Sequence, residues 1–152
     1  MAEASQHRDE TRPADQVLVD TDVVSYLFRG DTRAEAYPPH LPGRRVAVSF
    51  MTIAELDRWI LQRHWGTARR ERLEAFLSHF TVYLVDRALC ARSAEVSDAA
   101  RRAGTPIQTA DAWIAATALL HGIPLITHNR RDYAAVPDLL LVSESPMSSE
   151  SI

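Results

Sequence analysis

Short apolar runs alternating with helix-length amphipathic segments make this chain an α/β protein, three layers deep, with a mostly parallel sheet of about five strands flanked by helices. Three observations carry that reading. Val17-Leu18-Val19, Val46-Ala47-Val48 and Leu125-Ile126-Thr127 are brief, continuous apolar runs of the kind found in strands covered on both faces. Segments with helical spacing of apolar residues stand between these runs. Gly30, Gly66, Gly104 and Gly122 punctuate the ends of the helical segments, where a left-handed cap suits glycine.

Taken in order, the strand at 17–19 leads into an amphipathic helix over about 22–29. The stretch 31–45 carries Pro38, Pro39, Pro42 and Gly43 and reads as a loop, with room for one short turn around Thr32–Tyr37. A second strand at 46–48 precedes a helix over 52–64, where Ile53, Leu56, Ile60 and Leu61 recur at helical spacing. A further helix over 68–79 places Leu73, Phe76 and Leu77 on one side. Thr81–Val85 alternates as a third strand, and the alanine-rich stretch 87–103 is helical. The segment 108–121 is apolar almost all round and belongs in the core. Strands at 125–127 and 139–142 complete the sheet. Polar tails at 1–16 and 143–152 are expected to be flexible, leaving one domain over 17–142.

At 152 residues the chain is long enough for one well-buried core. Its single cysteine, Cys90, cannot form an internal disulfide, and no Cys/His spacing suggests zinc. A reducing cytoplasm fits, and no stretch approaches the ~20 apolar residues of a membrane span. The net charge of -3 is unevenly spread. The tails hold six acidic residues against Arg8 and Arg12, so 17–142 carries +1. Arginines cluster at 44–45, 58–72, 101–102 and 130–131, a distribution compatible with a polyanionic partner and equally with solvated helix faces. There is no lysine, which excludes any chemistry that needs one.

Four acids fall where such a fold brings strand ends and helix starts together. Asp20 follows the first strand, Glu55 and Asp111 lie near helix starts, and Asp132 follows the strand at 125–127. Each has a plain structural explanation. Asp20 and Asp22 suit N-caps, Thr52-Ile53-Ala54-Glu55 spells a capping box, and Asp111 favours a helix dipole. Turn chemistry accounts for Asn129 and Asp132. Together they point further, because carboxylates gathered in the crevice of an α/β sheet repel one another unless a cation neutralises them. The expected chemistry is phosphoryl transfer with Mg²⁺, or Mn²⁺ in its place. Asp20, Asp111 and Glu55 are the metal-ligand candidates, Asn129 and Asp132 complete the catalytic set, and Thr127, Arg130 and Arg131 stand ready for substrate phosphate. Tyr37 and His40, in the proline-rich stretch, offer rings on which an unpaired base stacks, though a plain connector is the simpler reading.

The motifs Val-Leu-Val-Asp-Thr-Asp-Val-Val-Ser around Asp20, Ser-Phe-Met-Thr-Ile-Ala-Glu-Leu around Glu55, Thr-Ala-Asp-Ala-Trp-Ile-Ala-Ala-Thr-Ala around Asp111 and Leu-Ile-Thr-His-Asn-Arg-Arg-Asp-Tyr resemble those of PIN-domain toxins of the VapC type. The likeness runs over about 17–142. It implies a PIN-like fold, an Mg²⁺-dependent endoribonuclease, a cognate antitoxin and a homodimer. Two positions depart from the pattern. Asp22 stands where such toxins often carry asparagine, and Asn129 where many carry a fourth acid, which leaves the number of ions open.

Two other readings compete. A PIN-like scaffold that binds RNA or a partner without cleaving would tolerate Asn129. Asp20-Thr21-Asp22-Val23-Val24 also resembles the nucleophile motif of haloacid-dehalogenase-type phosphatases, but those need a lysine that this chain lacks.

Overall fold

The computed structural model describes residues 15–35, 37, 41 and 43–143. The expected tails lie almost wholly outside the described residues, although Gln16 already opens the first strand. All strand pairs are parallel, in a five-stranded sheet of order β3-β2-β1-β4-β5. The strands are β1 (Gln16–Val19), β2 (Arg45–Ser49), β3 (Thr81–Tyr83), β4 (Leu125–Ile126) and β5 (Leu141–Val142). The helices are α1 (Thr21–Arg29), α2 (Phe50–Gln62), α3 (Thr67–Leu77), α4 (Arg87–Arg102) and α5 (Thr109–His121), with 3-10 turns at Thr32–Ala34 and Arg130–Tyr133.

The three layers follow from the two-residue period of a strand. Leu18, Ala47 and Leu125 turn to one face and pack with Leu89 and Val96 of α4 and Ile114 and Ala118 of α5. Val17, Val19, Val48 and Ile126 turn to the other, against Val23 and Val24 of α1, Leu56 and Ile60 of α2 and Leu73 of α3. The small side chains of α5, Ala112, Ala115, Ala116 and Ala118, are all buried, which explains why this helix is apolar nearly all round. Among the described residues no helix is long and apolar enough to cross a membrane.

Several details differ from expectation, among them the last strand, which begins at Leu141 and not at 139. The second helix begins at Phe50, with Ser49 as its N-cap accepting from Met51 N at 3.1 Å, so Thr52 is inside the first turn and caps nothing. β3 stops at Tyr83, and Leu84 and Val85 are exposed beyond it. Tyr37, expected in an open loop, is fully buried, while His40 lies outside the described residues.

β1 is central, with β2 and β3 on one side and β4 and β5 on the other. Connections therefore leave β1 and β4 in opposite directions, and the carboxyl ends of these two strands open a crevice. Asp20 follows β1 at that point, and its amide donates to Ile126 O at 2.8 Å.

Candidate active site

Asp20 is the deepest acid, at 5% exposure. It caps α1 by accepting from Thr21 N at 2.8 Å on Oδ1. Its other oxygen accepts from Thr127 Oγ1 at 2.7 Å and from the Tyr133 hydroxyl at 3.1 Å. A cap alone needs one oxygen; here the second is held by two hydroxyls, one 107 and the other 113 positions away. The Tyr133 hydroxyl also lies 3.3 Å from Asp111 Oδ1 and so links the two carboxylates. Burial, opposed by the Thr127 hydrogen bond and reinforced by Asp22 and Asp111, pushes the Asp20 pKa up to about 7. Asp111, in the first turn of α5, is raised to about 6 by burial and by the charge of Asp132. The buried phenol of Tyr133 is held far above its ordinary range, first by desolvation and then by the two aspartates.

Glu55 is released from the capping box by the register of α2. Its Oε1 accepts from Thr21 Oγ1 at 2.9 Å, and that hydroxyl also meets Thr52 Oγ1 at 2.9 Å. The Glu55 carboxyl is half-buried and shifted upward by desolvation, with the Thr21 hydrogen bond and Arg58 opposing. Asp22 is likewise shifted upward by burial and by Asp132, against His128 and Arg33. Asn129 donates its amide nitrogen to Asp22 Oδ2. Asp132 is exposed in the turn Arg130–Tyr133, and with Asp111, Arg131 and Gln108 it lines a cavity of about 500 Å³.

Asp20, Glu55 and Asp111, expected together, are thus neighbours: Thr21 joins the first two, its amide bonding Asp20 and its hydroxyl Glu55, and the Tyr133 hydroxyl lies between Asp20 and Asp111. They do not converge on a single point, and among the described residues no three acidic, histidine or cysteine side chains stand in a ligating group. Thr127 corrects an expectation. It is fully buried, donates to Asp20 and accepts from Asn129 N at 3.0 Å, so it orients an acid and does not face substrate. Tyr37 is corrected too, because its buried hydroxyl meets His128 Nδ1 at 2.8 Å and its ring is closed to a base. Arg130 and Arg131 are exposed, and Arg131 is at the cavity wall. Asp22 and Tyr133 were not among the expected site residues. Asp22 read as a cap, and the motif ending Arg-Arg-Asp-Tyr was the one sign of Tyr133.

A parallel sheet with mutually repelling carboxylates at the mouth of its central crevice defines a class of α/β enzymes that handle phosphate through acidic side chains. The chain belongs to the PIN-domain family, whose model matches residues 17–139. It is 32% identical over 130 residues to Ribonuclease VapC4 of Mycobacterium tuberculosis, covering 84% of this chain and 96% of that protein. It is also similar to the solved VapBC-1 structure from nontypeable Haemophilus influenzae, with TM-score 0.73, 26% identity and coverage of 84% and 97%. A toxin-antitoxin complex from Klebsiella pneumoniae is matched with TM-score 0.68 at 28% identity, covering 84% of this chain and 96% of that one.

Proposed function

We propose that this PIN-domain protein is a metal-dependent endoribonuclease, the toxin of a toxin-antitoxin pair, with Asp20, Glu55 and Asp111 as its metal ligands. The observation that carries the reading is electrostatic. Four carboxyls, Asp20, Asp22, Glu55 and Asp111, all have pKa values driven upward, first by burial and then by neighbouring acids: Asp22 and Asp111 act on Asp20, Asp132 on Asp22, Asp22 on Glu55, and Asp132, Glu55 and Asp22 on Asp111. Crowded acids of this kind oppose folding when ionised, and a divalent cation drawn among them would relieve that cost. The donor set is all oxygen, as Mg²⁺ or Mn²⁺ prefers, and contains no thiolate or imidazole that would select zinc. When held, such an ion supplies positive charge for developing phosphate oxyanions and acidifies water.

The chain's own groups do the rest. Thr21 N, Thr127 and Tyr133 fix the Asp20 carboxylate, and Tyr133 sets Asp111 at the same time. Glu55, half-buried and held by the Thr21 hydroxyl, stands where it would hold the ion or position the attacking water. Asn129 holds Asp22, and with Asp132 it completes the outer face of the site. Arg131, beside Asp111 and Asp132, and Arg130 receive the phosphate that flanks the scissile bond.

The solved relatives described as toxin-antitoxin complexes support a protein antitoxin as the partner. The family resemblance supports a homodimer, and the lone cysteine suits the cytoplasm, where the RNA substrate is found. The test is cleavage of end-labelled RNA by purified protein. Activity should vanish in EDTA, return with Mg²⁺ or Mn²⁺, and be absent from Asp111→Asn; activity that persists in EDTA overturns the metal mechanism. Asn129 in place of an acid favours a second reading, a binding scaffold, which RNA binding without cleavage would support.

A further inference from the structure

Two adjoining cavities on the α1–α2–α3 side carry cations that the acidic site does not use. The nearer, about 230 Å³, is lined by Asp22, Tyr26, Arg29, Arg33, Trp59 and Arg63 among others. The second, about 360 Å³, is lined by Phe28, Arg29, Arg69 and Arg72. Arg29 belongs to both, and Asp22 joins the first to the acid cluster, so a continuous path leaves the proposed active site along the helix ends.

Of the five arginines named on this path, one, Arg33, is held by an acid. On α4, Arg101 and Arg102 are paired with Asp98, and Arg33 is paired with Asp31 at 2.8 Å. Among the described residues, Arg29, Arg63, Arg69 and Arg72 have no carboxylate within ion-pair distance. Two of them lie against indoles. The guanidinium carbon of Arg63 is 5.0 Å from the Trp59 ring centroid, and that of Arg69 is 3.8 Å from Trp65. Trp65 is itself stacked on Phe28 at 5.9 Å. A guanidinium laid on an aromatic face is held in place while its N–H edge stays open to an anion. The plain account, cations at helix C-termini, fits Arg29 and Arg63 but not Arg69, in the first turn of α3, or Arg72, at its middle.

We propose that this path binds the backbone of single-stranded RNA on one side of the cleavage point, with Arg29, Arg63, Arg69 and Arg72 taking successive phosphates. The proposal rests on the ribonuclease reading and says which way the substrate runs from the acids. RNA is favoured over a peptide because its charge recurs at every nucleotide, matching a file of four guanidinium groups that no acid among the described residues holds.

The test measures binding of a fluorescein-labelled single-stranded RNA of about twelve nucleotides in EDTA, and its cleavage in Mg²⁺. The proteins compared are wild type, Arg63→Gln, Arg72→Gln and the double variant R69Q/R72Q, with Arg102→Gln as the control. The double variant should bind about tenfold more weakly at low salt, and the slope of log K against log salt should fall by roughly 0.7 for each arginine removed. KM should rise with kcat unchanged, melting temperatures should hold, and the control should match wild type. Arg63 and Arg72 are exposed, so their single variants keep the test readable if removing Arg69 disturbs Trp65. Wild type that cleaves RNA while all variants keep its affinity and salt slope overturns the path alone. Wild type that neither binds nor cleaves overturns the ribonuclease reading as well. Variants that keep RNA affinity but lose a co-expressed protein partner assign the groove to that partner and also overturn the proposal.

Discussion

Replacing Asp20 by asparagine should stabilise the metal-free protein at alkaline pH while removing its activity. The folded carboxyl has a pKa of about 7 against an ordinary 3.8, so the folded state binds this proton more tightly than the unfolded chain does. Stability is therefore lost as pH rises from about 4 to about 7, and the penalty is fully present above that window. Three pKa units correspond to about 4 kcal/mol, and coupling to Asp22 and Asp111 brings a realistic gain for the neutral residue to about 2 kcal/mol. Asparagine keeps the N-cap, because its carbonyl oxygen accepts from Thr21 N as the carboxylate does. In a domain of this size the gain should raise the melting temperature by about 4–8 °C at pH 8 in EDTA. By pH 5 the folded wild-type group is protonated and roughly two-thirds of the advantage should be gone, the rest vanishing toward pH 4. Thermal unfolding followed by circular dichroism at both pH values measures the difference. Millimolar Mg²⁺ should then stabilise wild type at pH 8 and leave Asp20→Asn nearly unmoved. A variant less stable than wild type at pH 8, or a gap equal at both pH values, would refute the reasoning.

Other perturbations have equally definite outcomes. Tyr133→Phe removes the hydroxyl that joins Asp20 to Asp111, and the Mg²⁺ concentration for half-maximal cleavage should rise roughly tenfold; an unchanged metal titration would deny the link a role. Leu73→Ala, in the cluster between sheet and α3, should cost about 3 kcal/mol by urea denaturation. Gly122 has φ 63° as the cap of α5 and nothing within 4 Å of a built Cβ, so Gly122→Ala should cost about 1 kcal/mol from backbone strain alone, with cleavage intact.

The layers were legible because burial on both faces writes itself into short strands, as in Val17-Leu18-Val19, and because α5 is apolar nearly all round. Boundaries were less so. Ser49 and Thr52 are both good caps three residues apart, and only the pairing of Ser49 with Tyr83 shows that the strand runs on to Ser49. In the site, the acids were visible as residues at strand and helix ends, but their attachments were not. The contact of Tyr37 with His128 spans 91 positions, and that of Tyr133 with Asp20 spans 113. No local pattern encodes such distances. The arginine path has the same origin, since its members come from α1, the end of α2 and α3 and meet only where these pack side by side.

The hydroxyl row Thr52–Thr21–Glu55 has a direction, because Thr21 has a single proton to give. While Glu55 is ionised, Thr21 must point its proton at the carboxylate and receive one from Thr52. When Glu55 is protonated on Oε1, the arrow reverses and Thr21 turns toward Thr52. Two buried threonines thus register the charge of a glutamate from within the fold, and their orientation offers a spectroscopic readout of that charge that needs no substrate.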